Sequence, residues 1–539
     1  MKKSRSENFY RLFIFLIALI FIQCADNSAR VVTVPRDITI TPENAYTDLF
    51  LDSNNVESFI IQKNLDDSTA ALMRNFYNSR NYQYAWFVDN GLAQQAKAFW
   101  NLHNYYINYS RDSTIYNQYL YELMNRLMND DTTMQLSKNI LEETEMMLTQ
   151  HFFIYARYAY DGKINPEELQ WHIPRKKIDA ITLLDSLIKN KGANIDDWEP
   201  VNPQYKKVRS FLPLYYQVQK NNGWRIINLG ERKSLRLGDS AQVIRQIKNN
   251  LTLTSDLFLN DSSIIFTPKL EIAVMRFQKR FGLKQDGVIG PKMIAEMNVP
   301  IEKRIEQILV NMERMRWLPA RPGGNFILAN IPEFKLHVFK NSAKVFDMDI
   351  VVGKEGTGTV IFTDSLKYVV FSPYWNVPRS IVKNEIVPGM EKSNNYLDNH
   401  NMEITGYSNG LPIVRQKPGG NNSLGLVKFI FPNNYNIYFH DTPAKSLFEN
   451  ENRAFSHGCI RLKNAEQMAN YLLRNQPEWT PGKIDEAMHS GNEKWVNLKE
   501  PLPVFITYFT AWTDSEGLLN FRKDIYNHDQ EIASRLFRP

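Results

Sequence analysis

Cysteine and net charge are both scarce in this chain, and each scarcity excludes a class of protein. The 539 residues include only two cysteines, Cys24 and Cys459. Two thiols cannot form a disulfide-stapled scaffold or a cysteine-rich metal site, so each cysteine needs its own explanation. The net charge is only +6, and half of it lies within residues 1–23, which leaves no electrostatic footprint for nucleic-acid binding. The 43% apolar and 23% charged residues indicate a globular protein of several domains.

An unbroken apolar run occupies residues 12–22, directly after a basic N-terminus. This run is short for a bilayer span but typical of the core of a secretory signal. It ends close to Cys24 and resembles a bacterial lipoprotein signal, in which the cysteine is acylated, although Gln23 stands where a small residue is usual. The alternatives are an ordinary signal peptide or an uncleaved anchor. All three place the chain in the cell envelope, with a signal peptide at 1–23 and a polar tether at 24–45; a lipoprotein would also be anchored to a membrane through Cys24.

Residues 46–225 predict a helical scaffold domain. Apolar clusters recur there at steps of three and four residues, for example from Ile140 to Phe153. The same region contains an aromatic patch, which comprises Tyr82, Tyr84, Trp86 and Phe87. Core packing is the simpler explanation of this patch, and sugar stacking is the alternative.

Residues 232–298 predict a small helical module. Asp239-Ser240 gives a helix start, and apolar residues follow on one helix face. Asp286-Gly287 and Gly290-Pro291 then give two turns. This order of residues resembles the peptidoglycan-binding module of cell-wall enzymes, with Met293 in place of the usual threonine. The alternative is a helical spacer that has kept the fold and lost the ligand.

From residue 326 the apolar period changes to two, which predicts a mostly β domain at 326–515. A polar, Asn-rich insertion at 373–412 interrupts it, and its composition predicts a segment that lies over the domain rather than within its core. Residues 516–539 remain as a C-terminal tail. The predicted fold class is therefore multi-domain α+β, with a helical N-terminal scaffold, a small helical module and a mostly β domain that carries an insertion.

The segment SHGCIRL, which begins at Ser456, carries the strongest chemical signal. A thiol reacts as its thiolate, so Cys459 needs a base, and the oxyanion that it creates needs backbone donors. Gly458 allows a sharp turn that can aim amides at a bound carbonyl. Arg461 points the same way as the thiol if the chain is extended. His440 lies upstream at the end of an aromatic strand and supplies a base; the alternative is an inert thiol and an ordinary imidazole.

HDTP at 440–443 followed by SHGCIRL is similar to the catalytic motif of the L,D-transpeptidases. Further segments match the large, multi-domain periplasmic subgroup of that family: SPYWNVP at 372–378, RQKPGG at 415–420 and LGLVKFIFPN at 424–433. The resemblance covers about residues 40–535 and is looser in the N-terminal helical part. It implies a peptidoglycan-binding module and a catalytic domain whose insertion is a capping subdomain; a plain surface loop is the alternative for the insertion.

The resemblance also implies a mechanism. Cys459 attacks the carbonyl between the L-centre of a diamino acid and a terminal D-Ala, and the resulting thioester passes to the amine of a neighbouring stem peptide. His440 is then the general base, and the amides around His457, Gly458 and Cys459 stabilise the oxyanion. The implied substrate contacts are Tyr438, Arg461 and Ser456. The implied partners are the stem peptides and glycan of peptidoglycan, and the reaction needs no metal or organic cofactor.

Other functions share some of these residues. An L,D-carboxypeptidase would use the same thioester with water as the acceptor. A binding protein with a vestigial site is less consistent with the presence of both His440 and Cys459. A papain-like protease is disfavoured because its cysteine precedes its histidine in the chain.

Overall fold

A computed structural model of the chain describes residues 33–129, 136–173, 177–194, 199–320 and 323–537. The predicted signal peptide and Cys24 lie outside the described residues. The chain divides into two compact units. The N-terminal unit comprises the described residues of Met1–Asn104, Ser113–Tyr155 and Asp179–Trp198, and the C-terminal unit comprises those of Tyr105–Asp112, Ala156–Ile178 and Glu199–Pro539.

The N-terminal unit is helical apart from one short hairpin. The helices that begin in it are α1 (Ser53–Gln62), α2 (Asp67–Asn78), α3 (Gln94–Ser110), α4 (Gln118–Met128), α5 (Lys138–Ala156) and α6 (Ala180–Lys189), and the hairpin strands are β1 (Phe87–Val88) and β2 (Gly91–Leu92). Side chains of Asp or Asn accept backbone N–H groups at the starts of α1, α2, α4 and α6, which fixes where these helices begin. Tyr84, Trp86 and Phe87 are buried, so the core explanation of the aromatic patch is confirmed for these three.

The first part of the C-terminal unit is also helical. Its helices are α7 (Pro203–Arg209), α8 (Leu212–Lys220), α9 (Val243–Leu253), α10 (Pro268–Arg280), α11 (Pro291–Met297) and α12 (Ile301–Trp317), preceded by single turns at Arg157–Asp161 and Pro166–Leu169. Ile244, Ile247 and Leu251 are buried on α9, as its sequence period predicts. Gly290 and Pro291 begin α11, where proline loses no intrahelical hydrogen bond.

A nine-stranded sheet dominates the rest of this unit. Its strands are β3 (Phe326–Asn330), β4 (Lys335–Lys340), β5 (Ala343–Gly353), β6 (Thr363–Phe371), β10 (Val427–Ile430), β11 (Phe439–His440), β12 (Ala454–Ser456), β13 (Ile460–Leu462) and β14 (Lys494–Thr507). They pair in the order β12-β5-β13-β11-β10-β6-β14-β3-β4, and the sheet closes on itself because β5 also pairs with β4. The connected helices are α16 (Ala465–Leu473) and α17 (Pro481–His489), which bury one face in the same core.

The insertion folds as a small subdomain between β6 and β10. Its elements are β7 (Trp375–Asn376), α13 (Arg379–Ile381), a π-helical turn (Val382–Ile386), α14 (Val387–Lys392), α15 (Tyr396–Asn399), β8 (Met402–Ser408) and β9 (Leu411–Gln416). The strands form a separate sheet in the order β7-β9-β8. Val382, Ile386, Met402 and Val414 are buried together in a core of their own. We call residues 375–416 the cap. Its own core means that the polar composition of the segment understated how ordered it is.

Residues 516–537, which the sequence predicts as a tail, contribute to the fold. β15 (Ala511–Thr513) pairs with β16 (Leu519–Phe521), and α18 (His528–Leu536) follows. Ile532 and Ala533 of α18 are buried in the core that the nine-stranded sheet encloses. These elements are too short to give a clear sequence period, which is why the pattern alone missed them. Among the described residues, no helix is both long enough and apolar enough to cross a membrane.

The fold class predicted from the sequence is confirmed: a helical N-terminal region, a small helical module and a mostly β domain follow one another along the chain.

Candidate active site

Two neighbouring parallel strands position the predicted catalytic side chains: His440 lies on β11, and Cys459 directly precedes β13. His440 lies opposite Arg461 in this pairing. Ile460 is buried in the domain core. Because side chains alternate along extended chain, Cys459 and Arg461 face away from that core, and Tyr438 and His440 do the same on the adjacent strand. We call these four residues the catalytic face.

The thiol of Cys459 is half-buried and has two polar neighbours. Its Sγ donates a hydrogen bond to the carbonyl of Asn436, with 3.5 Å between sulfur and oxygen. Tyr438 also lies close enough to influence the thiol. Burial raises the thiol pKa above its ordinary value, whereas Tyr438 and the positive charge of Arg461 act in the opposite direction. The resting thiol is therefore neutral, with a donor and a cation ready to stabilise the thiolate.

His440 is buried, and its orientation is fixed by the backbone. Its Nδ1 donates a hydrogen bond to the carbonyl of Asp441, 2.5 Å away. Burial and the neighbouring charge of Arg461 lower the imidazole pKa to about 3, so the ring is neutral near pH 7. Within the described part of the chain, no hydrogen bond joins His440 to Cys459. Proton transfer between them therefore needs a rotation of the thiol or an intervening water.

The SHGC turn is held by side-chain hydroxyls. Ser456 is buried, and its Oγ accepts the Gly458 N–H at 3.1 Å and donates to the Cys459 carbonyl at 2.6 Å. Gly458 has a φ of +118°, which L-residues rarely adopt. The Ser456 hydroxyl and the Gly458 amide are thus both hydrogen-bonded within the turn. Substrate contact by Ser456 and oxyanion stabilisation around Gly458 stay predictions.

The backbone amide of Cys459, unlike that of Gly458, is available to a substrate. Among the described residues, neither a backbone nor a side-chain acceptor receives the Cys459 N–H. The Gly458 carbonyl, at the other end of the same peptide unit, accepts a hydrogen bond from Thr359 Oγ1 at 2.8 Å. A free N–H beside the nucleophile is the donor that a tetrahedral intermediate requires.

The cap approaches the site at two points. Trp375 lies close enough to Tyr438 of the catalytic face to lower the pKa of its hydroxyl. His457 is half-exposed, and its Nε2 lies 3.4 Å from Glu385 Oε1 of the cap. His457 therefore faces the cap, whereas His440 shares a face with Cys459. The pairing favours His440 as the base.

Sequence reasoning missed four residues that build this site. Trp375 could have been found, because it stands inside the SPYWNVP segment that the sequence already singles out. Asn436, Thr359 and Glu385 had no such signal: one contributes only a carbonyl, and the other two lie in a loop and in the insertion.

Chemically, the catalytic face combines a nucleophile, a neutral imidazole, a cation and a free amide. This set suits attack on a carbonyl with a covalent thioester intermediate. Among the described residues, no group of three or more His, Cys, Asp or Glu side chains could hold a metal ion.

Comparison with known families assigns three segments of the chain. The L,D-transpeptidase catalytic domain matches residues 324–493, which contain the whole catalytic face. A scaffold domain matches residues 71–212, and a peptidoglycan binding domain matches residues 247–297.

A curated relative from Haemophilus influenzae, named as an L,D-transpeptidase, is 29% identical over 254 residues. The match covers 44% of this chain and 51% of the relative, so the chain spans about half the length of the curated protein it matches.

The solved structures that match the chain include two L,D-transpeptidases. That of Xylanimonas cellulosilytica is 14% identical, with 52% of this chain and 100% of that chain covered and a TM-score of 0.17. That of Stackebrandtia nassauensis is 12% identical, with 51% and 94% covered and a TM-score of 0.22. At these TM-scores the likeness supports no conclusion. The segment matches therefore give the chain a region similar to the L,D-transpeptidase catalytic domain at residues 324–493 and a region similar to a peptidoglycan binding domain at residues 247–297.

Proposed function

We propose that this protein cross-links peptidoglycan by joining two diamino acids of neighbouring stem peptides through a thioester on Cys459. The observation that carries the proposal is the catalytic face: Cys459 and Arg461 lie beside Tyr438 and His440 on paired strands, away from the core. A buried inert thiol would lack a cation and a neutral imidazole on the same face.

The reaction needs two acyl transfers. His440 accepts the thiol proton as Cys459 attacks the carbonyl between the diamino acid and D-Ala, and the new C–S bond forms. The C–N bond then breaks, and D-Ala leaves with the proton from His440. In the second half, an amine of a neighbouring stem attacks the thioester and gives its proton to His440. The C–S bond breaks, and the leaving sulfur takes the proton from His440, which restores the neutral thiol and the neutral imidazole.

Each polar neighbour has a role in these steps. Arg461 stabilises the thiolate by its charge, and its Nε is buried without a hydrogen-bond partner in the described part of the chain, so it can also reach a substrate carboxylate. Tyr438 remains a neutral hydroxyl because burial and the nearby thiol raise its pKa well above the ordinary value. It can therefore donate a hydrogen bond to the thiolate. The Cys459 amide faces the developing oxyanion.

The cap favours transfer over hydrolysis. Its contacts through Trp375 and Glu385 place it next to the catalytic face, where it can limit the access of water to the thioester. An L,D-carboxypeptidase remains the second candidate, because it needs the same nucleophile and base. The peptidoglycan-binding domain would hold the enzyme on its substrate in the cell envelope, with Cys24 as the lipid anchor.

Product analysis tests the proposal directly. The protein without its first 32 residues is incubated with disaccharide-tetrapeptide muropeptides, and the products are identified by mass spectrometry. We expect dimers cross-linked between two diamino acids, with release of D-Ala. Tripeptide without any dimer would identify a carboxypeptidase, and no release of D-Ala would refute both functions.

A further inference from the structure

In the described part of the chain, the peptide unit between Gly458 and Cys459 is hydrogen-bonded through its carbonyl and not through its N–H. In a trans peptide the carbonyl and the N–H point in opposite directions, so fixing one end fixes the other. Thr359 Oγ1 donates to the Gly458 carbonyl at 2.8 Å. The Cys459 N–H, which has no acceptor among the described residues, is thereby aimed away from Thr359.

Thr359 is itself held by the C-terminal segment of the chain. Its hydroxyl accepts the Gly353 N–H at 2.9 Å, and its own N–H is donated to the Tyr526 hydroxyl at 3.3 Å. The Tyr526 hydroxyl donates in turn to the Gly353 carbonyl at 2.5 Å. The Tyr526 ring also packs on Gly358, where an added Cβ would lie only 3.2 Å from it.

Tyr526 is in turn anchored from behind. Its N–H is donated to the Tyr508 hydroxyl at 2.8 Å, and the two rings stack with centroids 5.5 Å apart. Tyr526 lies beyond residues 324–493, the part of the chain that matches the catalytic domain. Tyr526 is thus linked to the SHGC turn by hydrogen bonds through Thr359, although it lies outside the matched domain.

We propose that Thr359 and Tyr526 are positioning residues that preorganise the Cys459 amide as an oxyanion donor. Neither touches Cys459. Thr359 sets the plane of its peptide unit, and Tyr526 fixes the loop at 354–359 that presents the Thr359 hydroxyl. This inference rests on the proposed function, because only acyl transfer creates an oxyanion at this amide.

Two reagents distinguish a loss of amide orientation from a general loss of structure. Acylation of Cys459 by a carbapenem, a class of acylating agent that the family's thiol accepts, creates an oxyanion and needs the donor. In alkylation by iodoacetamide, the thiolate displaces iodide from a methylene carbon. No oxyanion forms, so the reaction needs only the thiolate. We expect Thr359→Val to lower the acylation rate by about 10–100-fold and Tyr526→Phe by about 3–10-fold, which is less than the loss of a whole donor. The alkylation rate should change by less than about 2-fold, since the thiol keeps its neighbours.

Matched variants control for the loss of a hydroxyl elsewhere in the same unit. Thr507→Val removes a buried hydroxyl that donates to the Ala329 carbonyl at 3.2 Å, and Tyr216→Phe removes one that donates to the Tyr109 carbonyl at 2.6 Å. Both should acylate like the wild type.

The outcomes are distinct. Equal loss of acylation and alkylation in the Thr359 and Tyr526 variants would mean a structural role and overturn the inference, as would unchanged acylation. If wild-type protein is alkylated but neither acylated nor active on muropeptides, the proposed function fails and this inference falls with it. If the wild type is active and only the variants lack the predicted split, the inference alone fails. Should Thr359→Val not fold, Tyr526→Phe, which keeps the ring packed on Gly358, decides the question.

Discussion

Removing the positive charge of Arg461 should raise the thiol pKa of Cys459. Cys459 directly precedes the strand that contains Arg461, so their Cα atoms are about 6.6 Å apart. At an effective dielectric constant of about 20, a unit charge at that distance stabilises a thiolate by about 2.5 kcal/mol, or about 1.8 pK units. Because Cys459 is only half-buried, solvent screening reduces this, and we expect Arg461→Gln to raise the pKa by about 0.5–1.5 units.

The same substitution should also raise the pKa of His440. Arg461 and burial together hold that imidazole near a pKa of about 3. Loss of the cation removes one of the two causes, so both pKa values move upwards. The thiol value is read from the pH dependence of the iodoacetamide alkylation rate, and the imidazole value from NMR titration of the ring.

Lys463→Gln is the matched control. Lys463 lies two residues further along, about 13 Å from Cys459, which is beyond the Debye length of about 8 Å at physiological salt. The Lys463→Gln variant loses one positive charge, but its thiol pKa should equal that of the wild type. A thiol pKa that is the same in Arg461→Gln and wild type, with both folded, would refute the electrostatic role of Arg461. An equal shift in both variants would show an effect of net charge alone.

Four further predictions test the site. Cys459→Ser should abolish cross-linking while the melting temperature stays unchanged, because a hydroxyl is a far weaker nucleophile; near-wild-type turnover would exclude Cys459. His440→Ala should lower acylation by about 10²–10⁴-fold and His457→Ala much less, and the reverse order would exchange their roles. Since the His440 pKa is depressed to about 3 and the thiol pKa is raised, the carbapenem acylation rate should climb from pH 5 to 9 without a step near pH 6.5, and a bell-shaped profile would contradict this. Glu385→Gln should raise the ratio of hydrolysed tetrapeptide to cross-linked dimer, and an unchanged ratio would remove this contact from the function of the cap.

The side of the sheet on which Cys459 and His440 lie could be predicted, because the apolar residue next to each of them shows which face of its strand is buried. Phe439 and Ile460 are buried in the core, so each strand has one face defined by its own apolar residue. The SHGC turn could be predicted as a turn from Gly458. The catalytic roles themselves stay predictions until the variants are measured.

The donors around the turn could not be predicted in the same way. A hydroxyl or a carbonyl in a loop has no sequence period, so the partners of Ser456 and Thr359 depend on how the chain closes. The hydroxyl of Ser456, an implied substrate contact, is an example, because both of its hydrogen bonds lie inside the turn.

The domain boundaries predicted from the sequence also assign residues of one hydrophobic core to different domains. Ile164 and Trp171 fall within the helical region predicted as scaffold, yet they are buried in the core that the nine-stranded sheet encloses. An apolar residue is equally compatible with either core when only its local pattern is known, because period reports which face is buried and not what covers it.

That shared core bears on the nucleophile itself. His172 donates its N–H to the Ile361 carbonyl at 2.9 Å and stacks on Tyr435, with ring centroids 4.7 Å apart. The next residue, Asn436, has a left-handed φ of 56° and presents the carbonyl that receives the thiol hydrogen bond. One side of Cys459 is therefore set by a segment far upstream of the recognised catalytic domain, and the other side is set through Tyr526 from downstream. The geometry of the thiol and its amide is a property of the whole C-terminal unit, which explains why a motif of seven residues identifies the nucleophile but does not by itself specify how it is held.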